Sequence, residues 1–134
     1  MTSSTRSFPT DLSILPHILS WVRKQVEDTP LDFSDKMRIE LALEEAVVNM
    51  IQHGTAKKFT LICRHKPNRE IEFELSDQGD SFNPLTHPER QNKDLPIEEI
   101  EVGGVGLPLM KKCMDALFYR REGEKNILTM VKNI

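Results

Sequence analysis

The chain has 134 residues, of which 38% are hydrophobic and 29% are charged, the composition of one globular domain. Its net charge of −3 gives no basic excess for binding a nucleic-acid backbone, and its apolar runs fall far short of the roughly 20 residues that cross a membrane. The first ten residues lack the apolar segment of a signal peptide, and neither Cys63 nor Cys113 belongs to a CxxC motif. We therefore predict a cytoplasmic protein with two free thiols and with neither nucleic acid nor a membrane as partner; a disulfide is the alternative.

The first predicted element is a short strand over residues 5–9. An amphipathic helix follows over residues 12–27, with Pro16 in its first turn. A second helix begins after Ser34, which we expect to cap it, and ends at Gly54. This helix carries apolar residues almost all round, so we expect it to be largely buried.

Two strands come next, over residues 57–66 and 70–77, and both alternate apolar with polar residues. Residues 78–102 contain three prolines and, from Glu89 onward, five acidic residues, which is typical of a functional lid or a disordered link. A helix over about residues 104–115 and a final hairpin complete the chain. This order predicts one sheet with helices packed on one face.

Glu45 and Asn49 interrupt the apolar second helix four residues apart, so they share one of its faces. A buried carboxylate or amide is costly unless it has a partner. A magnesium ion and its phosphates would supply partners, since Mg²⁺ accepts a neutral amide oxygen and a carboxylate can activate an attacking hydroxyl. The alternative is an ordinary exposed pair at the rim of the helix.

Asp77 ends the second of the two strands, on the same side as Ile71, Phe73 and Leu75, and Gly79 follows it. A carboxylate on the core side at a strand end can accept a hydrogen bond from the amino group of adenine. The alternative is a turn-forming aspartate, because Asp-x-Gly is common in loops.

Three glycines, Gly103, Gly104 and Gly106, open the helix that follows the lid. Glycines let the backbone approach a ligand closely, and free N–H groups at a helix start attract phosphate. The lysine of a P-loop is missing, so that motif is excluded. A plain loop-to-helix turn is the alternative.

Together these segments resemble the GHKL ATP-binding superfamily. The stretch LALEEAVVNMIQHG over residues 41–54 resembles its N box, DQGDSFNP over residues 77–84 resembles its first glycine box, and GGVGL over residues 103–107 resembles its second. The short length and the DxGxxFNP variant resemble one branch, the anti-sigma-factor serine-protein kinases. The resemblance covers nearly the whole chain.

The resemblance implies a Bergerat fold, an α/β two-layer sandwich with helices on one face of a mixed, mostly antiparallel sheet. It implies a single domain over residues 1–134 with an ATP lid over about residues 85–102. Glu45 matches the general base, Asn49 the magnesium ligand and Asp77 the adenine-binding residue. The remaining ATP-binding matches are Gly79, Gly103, Gly104, Val105, Gly106 and Leu107. Superfamily members also place a threonine near the last strand, for which Thr129 is a candidate.

For function, the resemblance implies an ATP- and Mg²⁺-dependent protein serine/threonine kinase that regulates transcription by partner switching. It would phosphorylate a serine of a STAS-type anti-sigma antagonist, hold a sigma factor inactive, and form a homodimer. Two alternatives stay open: a non-catalytic module that binds ATP and a regulator, and the catalytic domain of a histidine kinase. The latter ranks last, because residues 1–33 leave no room for a phospho-acceptor domain.

Overall fold

The computed structural model of the protein describes residues 1–85 and 109–134. Within these ranges, strands and α-helices follow in the predicted order, with a 3-10 turn over Leu12–Ile14 and helical residues at 109–113. The bounds of the other elements are β1 Thr2–Pro9, α1 Leu15–Glu27, α2 Phe33–His53, β2 Lys58–Lys66, β3 Glu70–Asp77, β4 Ala116–Glu122 and β5 Lys125–Asn133.

The strands form one five-stranded sheet in the order β1-β2-β3-β5-β4. Every pairing within the described ranges is antiparallel, which confirms the predicted mostly antiparallel sheet. The hairpin between β4 and β5 turns at Gly123, whose φ of 59° is in the left-handed region that suits glycine. Since β5 lies between β3 and β4, its first residues are adjacent to the end of β3 that carries Asp77.

The hydrophobic core lies between α1, α2 and one face of the sheet, which confirms the predicted two-layer α/β sandwich. Alternate strand residues face it, among them Phe59, Leu61, Phe73 and Leu75. Cys63 and Cys113 are both buried and free, as predicted. Among the described helices, none is long and apolar enough to cross a bilayer.

The start of α2 differs from the prediction. Asp32, not Ser34, is the N-cap, and its carboxylate accepts a hydrogen bond of 2.8 Å from the Asp35 N–H. Both residue types can cap a helix, but a cap at Asp32 places Asp35 at the third helical position, where that bond forms. The helix is also less buried than predicted, since Leu41 is exposed.

The helix predicted over residues 104–115 ends at residue 113 in the described part, and residues 104–108 lie outside it. Two contacts explain the earlier end. The Asp115 N–H already donates to the carbonyl of Val131 in the sheet, and the Lys132 ammonium donates to the Cys113 carbonyl at 3.1 Å. That ammonium also lies 3.5 Å from the Asp35 carboxylate, so Lys132 connects this helix end to the start of α2.

Candidate functional site

Asn49 is fully buried in α2, yet its side-chain amide has no hydrogen-bond partner among the described residues, on either its oxygen or its nitrogen. The alternative of an exposed pair at the helix rim is therefore wrong for Asn49. Burying an unpaired amide costs about 1–3 kcal/mol. Such an orphaned oxygen fits a ligand to a divalent cation, because Mg²⁺ takes neutral amide oxygens.

Glu45 lies one helical turn before Asn49 and is half-buried. One of its carboxylate oxygens, Oε2, is buried without a hydrogen-bond partner in the described part of the chain. Burial raises the pKa of the Glu45 carboxyl, and the neighbouring Glu44 raises it further. A raised pKa lies closer to neutral pH, which strengthens Glu45 as a proton acceptor.

Asp77 is the last residue of β3 and pairs with Phe59 of β2. Its Oδ1 atom accepts two hydrogen bonds, from the Gly79 N–H at 2.9 Å and from the Asn126 side-chain amide at 3.0 Å. No described residue donates to its Oδ2 atom. Asp77 therefore forms the Asp-x-Gly turn, while its second carboxylate oxygen receives no hydrogen bond from the described residues. Its binding of adenine stays a prediction.

A narrow cavity joins Asp77 to α2. Besides Asp77, it is lined by Ala46, Met50, Leu75, Phe82, Pro84, Tyr119, Asn126 and Leu128. Ala46 and Met50 directly follow Glu45 and Asn49 in the helix, which do not line the cavity themselves. The free volume is about 20 Å³, room for one water molecule. We call this space the Asp77 cavity.

A larger cavity of about 420 Å³ also touches Asp77 but lies at the other face of the sheet. Its lining includes Ser7, Thr60 and Ser76, which lie side by side on β1, β2 and β3. In the alternation of the strands they are on the face opposite to core residues such as Leu75. No residue of α2 lines it, so it does not connect Asp77 with Glu45 and Asn49.

Asn126, which the sequence analysis did not identify, holds the turn after Asp77 in place. Its side-chain nitrogen donates to Asp77 Oδ1 and, at 2.8 Å, to the Asp80 carbonyl. Its oxygen accepts from the Phe82 N–H at 3.1 Å, the Tyr119 hydroxyl at 2.7 Å and the Arg121 guanidinium at 3.2 Å. Because the Phe82 amide and the guanidinium can only donate, the orientation of the Asn126 amide is fixed.

Thr129, the threonine candidate, is on the wrong face of the sheet for this site. It pairs with Glu74 on the face away from α2, whereas Asn126 pairs with Asp77 on the core-facing side. Alternation in β5 could have placed Asn126 on the core-facing side of the sheet, together with Leu128 and Met130, but it could not have placed Asn126 beside Asp77.

Gly79 lies against the segment that follows α2. A Cβ atom at this position would be 2.7 Å from the Ala56 backbone nitrogen and 2.9 Å from the Thr55 hydroxyl. The same hydroxyl accepts from the Asp80 N–H at 2.8 Å, and the Arg121 guanidinium donates to the Gly79 carbonyl at 2.7 Å. Close packing therefore explains a glycine here without reference to a ligand.

The other predicted site residues, Gly103, Gly104, Val105, Gly106 and Leu107, lie outside the described residues, as does nearly all of the predicted lid. Among the residues that are described, no group of three or more His, Cys, Asp or Glu side chains could hold a metal ion. A cation at Asn49 would therefore need most of its ligands from elsewhere, for which the phosphates of a nucleotide are suited.

The sequence matches the family model of the histidine kinase-like ATPase domain over residues 8–132. The serine-protein kinase RsbW of Staphylococcus epidermidis is 29% identical over 102 residues, an alignment covering 71% of this chain and 64% of that protein. The serine/threonine-protein kinase BtrW of Bordetella bronchiseptica is 29% identical over 110 residues, an alignment covering 75% of this chain and 74% of that protein. The chain thus spans less than two thirds of the length of the Staphylococcus epidermidis protein.

Two solved structures share the fold. The structure of the RsbU and RsbW domains of Rv1364c from Mycobacterium tuberculosis superposes with a TM-score of 0.69, at 12% identity, over 98% of this chain and 32% of that one. The histidine kinase AdeS of Acinetobacter baumannii superposes with a TM-score of 0.53, at 14% identity, over 99% of this chain and 68% of that one. At these identities the likeness concerns the fold alone.

Proposed function

This chain belongs to the histidine kinase-like ATPase domain family, and on that premise we propose that it is an ATP-dependent serine-protein kinase. Its substrate would be a serine of a STAS-type anti-sigma antagonist, and in its other complex it would hold a sigma factor inactive. The relatives named serine-protein kinase support the chemistry. The single observation that carries the proposal lies on α2: the buried amide of Asn49 and the Oε2 atom of the half-buried Glu45 have no hydrogen-bond partner among the described residues.

In this proposal Asn49 holds Mg²⁺ through its side-chain oxygen. When bound, the cation neutralises charge on the phosphates of ATP, which is most of what phosphoryl transfer requires. The orphaned Asn49 oxygen fits this role because it has no competing donor among the described residues. Glu45 accepts the proton of the substrate serine, and its raised pKa favours that step.

Asp77 binds the amino group of adenine through Oδ2, the oxygen that no described residue occupies. The apolar walls of the Asp77 cavity, such as Leu75 and Met50, would then pack against the base. Because the cavity holds only about 20 Å³, a purine can enter only when lining side chains move. Pro84 belongs to a loop rather than to a strand or helix, so it is the lining residue best placed to move.

The proposal extends to Gly79 and to the five residues over 103–107 as ATP contacts, to residues 85–102 as the lid, and to residues 1–134 as one domain. Homodimerisation likewise rests on the family resemblance. A second function, a non-catalytic module that binds ATP and a regulator, has the same nucleotide site and differs only in whether Glu45 takes part in chemistry.

The Glu45→Gln variant tests the proposal. It removes the proton acceptor but keeps the shape of the side chain, so we expect phosphoserine formation to fall by roughly 100-fold or more while the affinity for ATP changes little. The assay incubates the protein with ATP, Mg²⁺ and a STAS-domain protein and follows phosphoserine by mass spectrometry.

Glu40→Gln is the matched control, because Glu40 is also a carboxylate of α2 but is paired with Arg23 at 2.6 Å. It should transfer phosphate like the unmodified protein. If the unmodified protein forms a complex with the STAS protein and ATP but makes no phosphoserine, the kinase proposal is wrong and the binding module is favoured.

A further inference from the structure

We propose that Asn126 restricts the nucleobase to adenine by occupying one of the two carboxylate oxygens of Asp77. The inference rests on the proposed function, in which Asp77 binds the base. Its observation is independent: the two hydrogen bonds that described residues donate to Asp77 arrive at the same oxygen, Oδ1, from the Gly79 N–H and the Asn126 amide.

A carboxylate oxygen has about two acceptor positions. The two bonds of 2.9 and 3.0 Å therefore saturate Oδ1 and leave Oδ2 as the acceptor that a ligand can use. Asp77 thus presents one acceptor to a base, although it has two oxygens.

Adenine and guanine place different demands on this group. Adenine offers one exocyclic amino donor, which a single oxygen accepts. In the same position guanine presents its O6 carbonyl, which repels a carboxylate. Guanine can bind only if it shifts so that its N1–H and 2-amino donors meet both carboxylate oxygens, as in bidentate recognition. With Oδ1 saturated, the second guanine donor stays unpaired in an apolar cavity, which weakens binding by roughly 5- to 100-fold.

Asn126 cannot readily release Oδ1. The residue is only 6% exposed, and its own oxygen accepts from Phe82, Tyr119 and Arg121. Turning the amide away from Asp77 would break these bonds and the one to the Asp80 carbonyl. The discrimination is therefore built into the ligand-free site and does not wait for a ligand to create it.

The experiment measures the affinities for ATP, GTP and ITP, with Mg²⁺ present, by displacement of a fluorescent ATP analogue. The proteins are the unmodified chain, Asn126→Ala and Asn126→Ser. We expect the unmodified chain to bind ATP at least tenfold more tightly than GTP. In both variants this ratio should fall at least fivefold, because the freed Oδ1 accepts the second guanine donor. ITP, which lacks the 2-amino group, should gain less than GTP.

Thr129→Val is the matched control, since Thr129 lies on the same strand but faces away from α2. Its ratio of GTP to ATP affinity should equal that of the unmodified chain. A purely structural role for Asn126 would weaken all three nucleotides together and leave the ratio unchanged, which would overturn this inference while the proposed function stands. If the unmodified chain binds no nucleotide, the proposed function fails and this inference with it.

Discussion

Asn49 and Asn126 are two buried asparagines whose environments differ sharply. Asn126 has both ends of its amide paired with neighbouring groups, whereas Asn49 has neither end paired among the described residues. A protein tolerates an unpaired buried amide only at a cost in stability, and such costs concentrate at functional sites. Because the Asn49 amide lacks the partners that the Asn126 amide has, we place the cation at Asn49.

Replacing each asparagine by leucine tests this contrast. Asn49→Leu should raise the free energy of unfolding by about 1–2 kcal/mol, because it removes an unsatisfied amide, and should abolish Mg²⁺-dependent ATP binding. Asn126→Leu should lower the free energy of unfolding by about 2–4 kcal/mol, because it leaves the Phe82 amide and the Arg121 guanidinium without their acceptor. Urea unfolding followed by circular dichroism measures both. A loss of stability in Asn49→Leu would mean that its amide has a partner after all.

The placement of a residue could be predicted from the sequence where it depends only on the periodicity of its own helix or strand. The four-residue spacing of Glu45 and Asn49 and the alternation ending at Asp77 predicted their placement correctly. Sequence reasoning did not find Asn126, because the value of that residue comes from its register against Asp77, and a strand's register depends on which strands become neighbours.

At the scale of elements, the loop after β3 is held from two sides. Thr55, just after α2, accepts from the Asp80 N–H, and Arg121 of β4 donates to the Gly79 carbonyl. These contacts join segments 25 and 42 residues apart in sequence, so no local pattern predicts them. The start of α2 was mispredicted for a different reason, since Asp32 and Ser34 are both good caps and local propensity does not choose between them.

Gly79→Ala tests whether this packing positions Asp77. The added methyl would lie 2.7 Å from the Ala56 backbone nitrogen, so the loop must shift and carry the Gly79 N–H away from Asp77. We expect a loss of about 1–3 kcal/mol in stability and a fall in ATP affinity of roughly tenfold or more.

Gly123→Ala provides the comparison. It adds a methyl at a positive φ with open space around it, so it should cost about 1 kcal/mol through backbone strain alone and leave ATP affinity unchanged. Thermal unfolding and nucleotide titration of the two variants separate a general loss of stability from a local displacement of the site. Equal ATP affinities in both variants would show that the Gly79 contacts do not position Asp77.

At the scale of the whole molecule, the architecture followed from alternation, helical periodicity and element order. The position of β5 between β3 and β4 did not, because strand order in a sheet is decided by tertiary packing. That order is what brings Asn126 to Asp77 and closes the Asp77 cavity with Tyr119 and Leu128. The predicted glycine turn over residues 103–107 stays a prediction.

The Asp77→Asn variant tests most directly whether α2 and the end of β3 form one site for Mg²⁺ and ATP. This variant keeps an oxygen for the Gly79 and Asn126 donors but replaces Oδ2 by an amino group, which opposes the amino group of adenine. By isothermal titration calorimetry, the unmodified protein should bind ATP in the presence of Mg²⁺, and Asp77→Asn should bind it roughly tenfold to 100-fold more weakly at unchanged unfolding temperature. Equal affinity in the two proteins, or no binding by the unmodified one, would contradict the account.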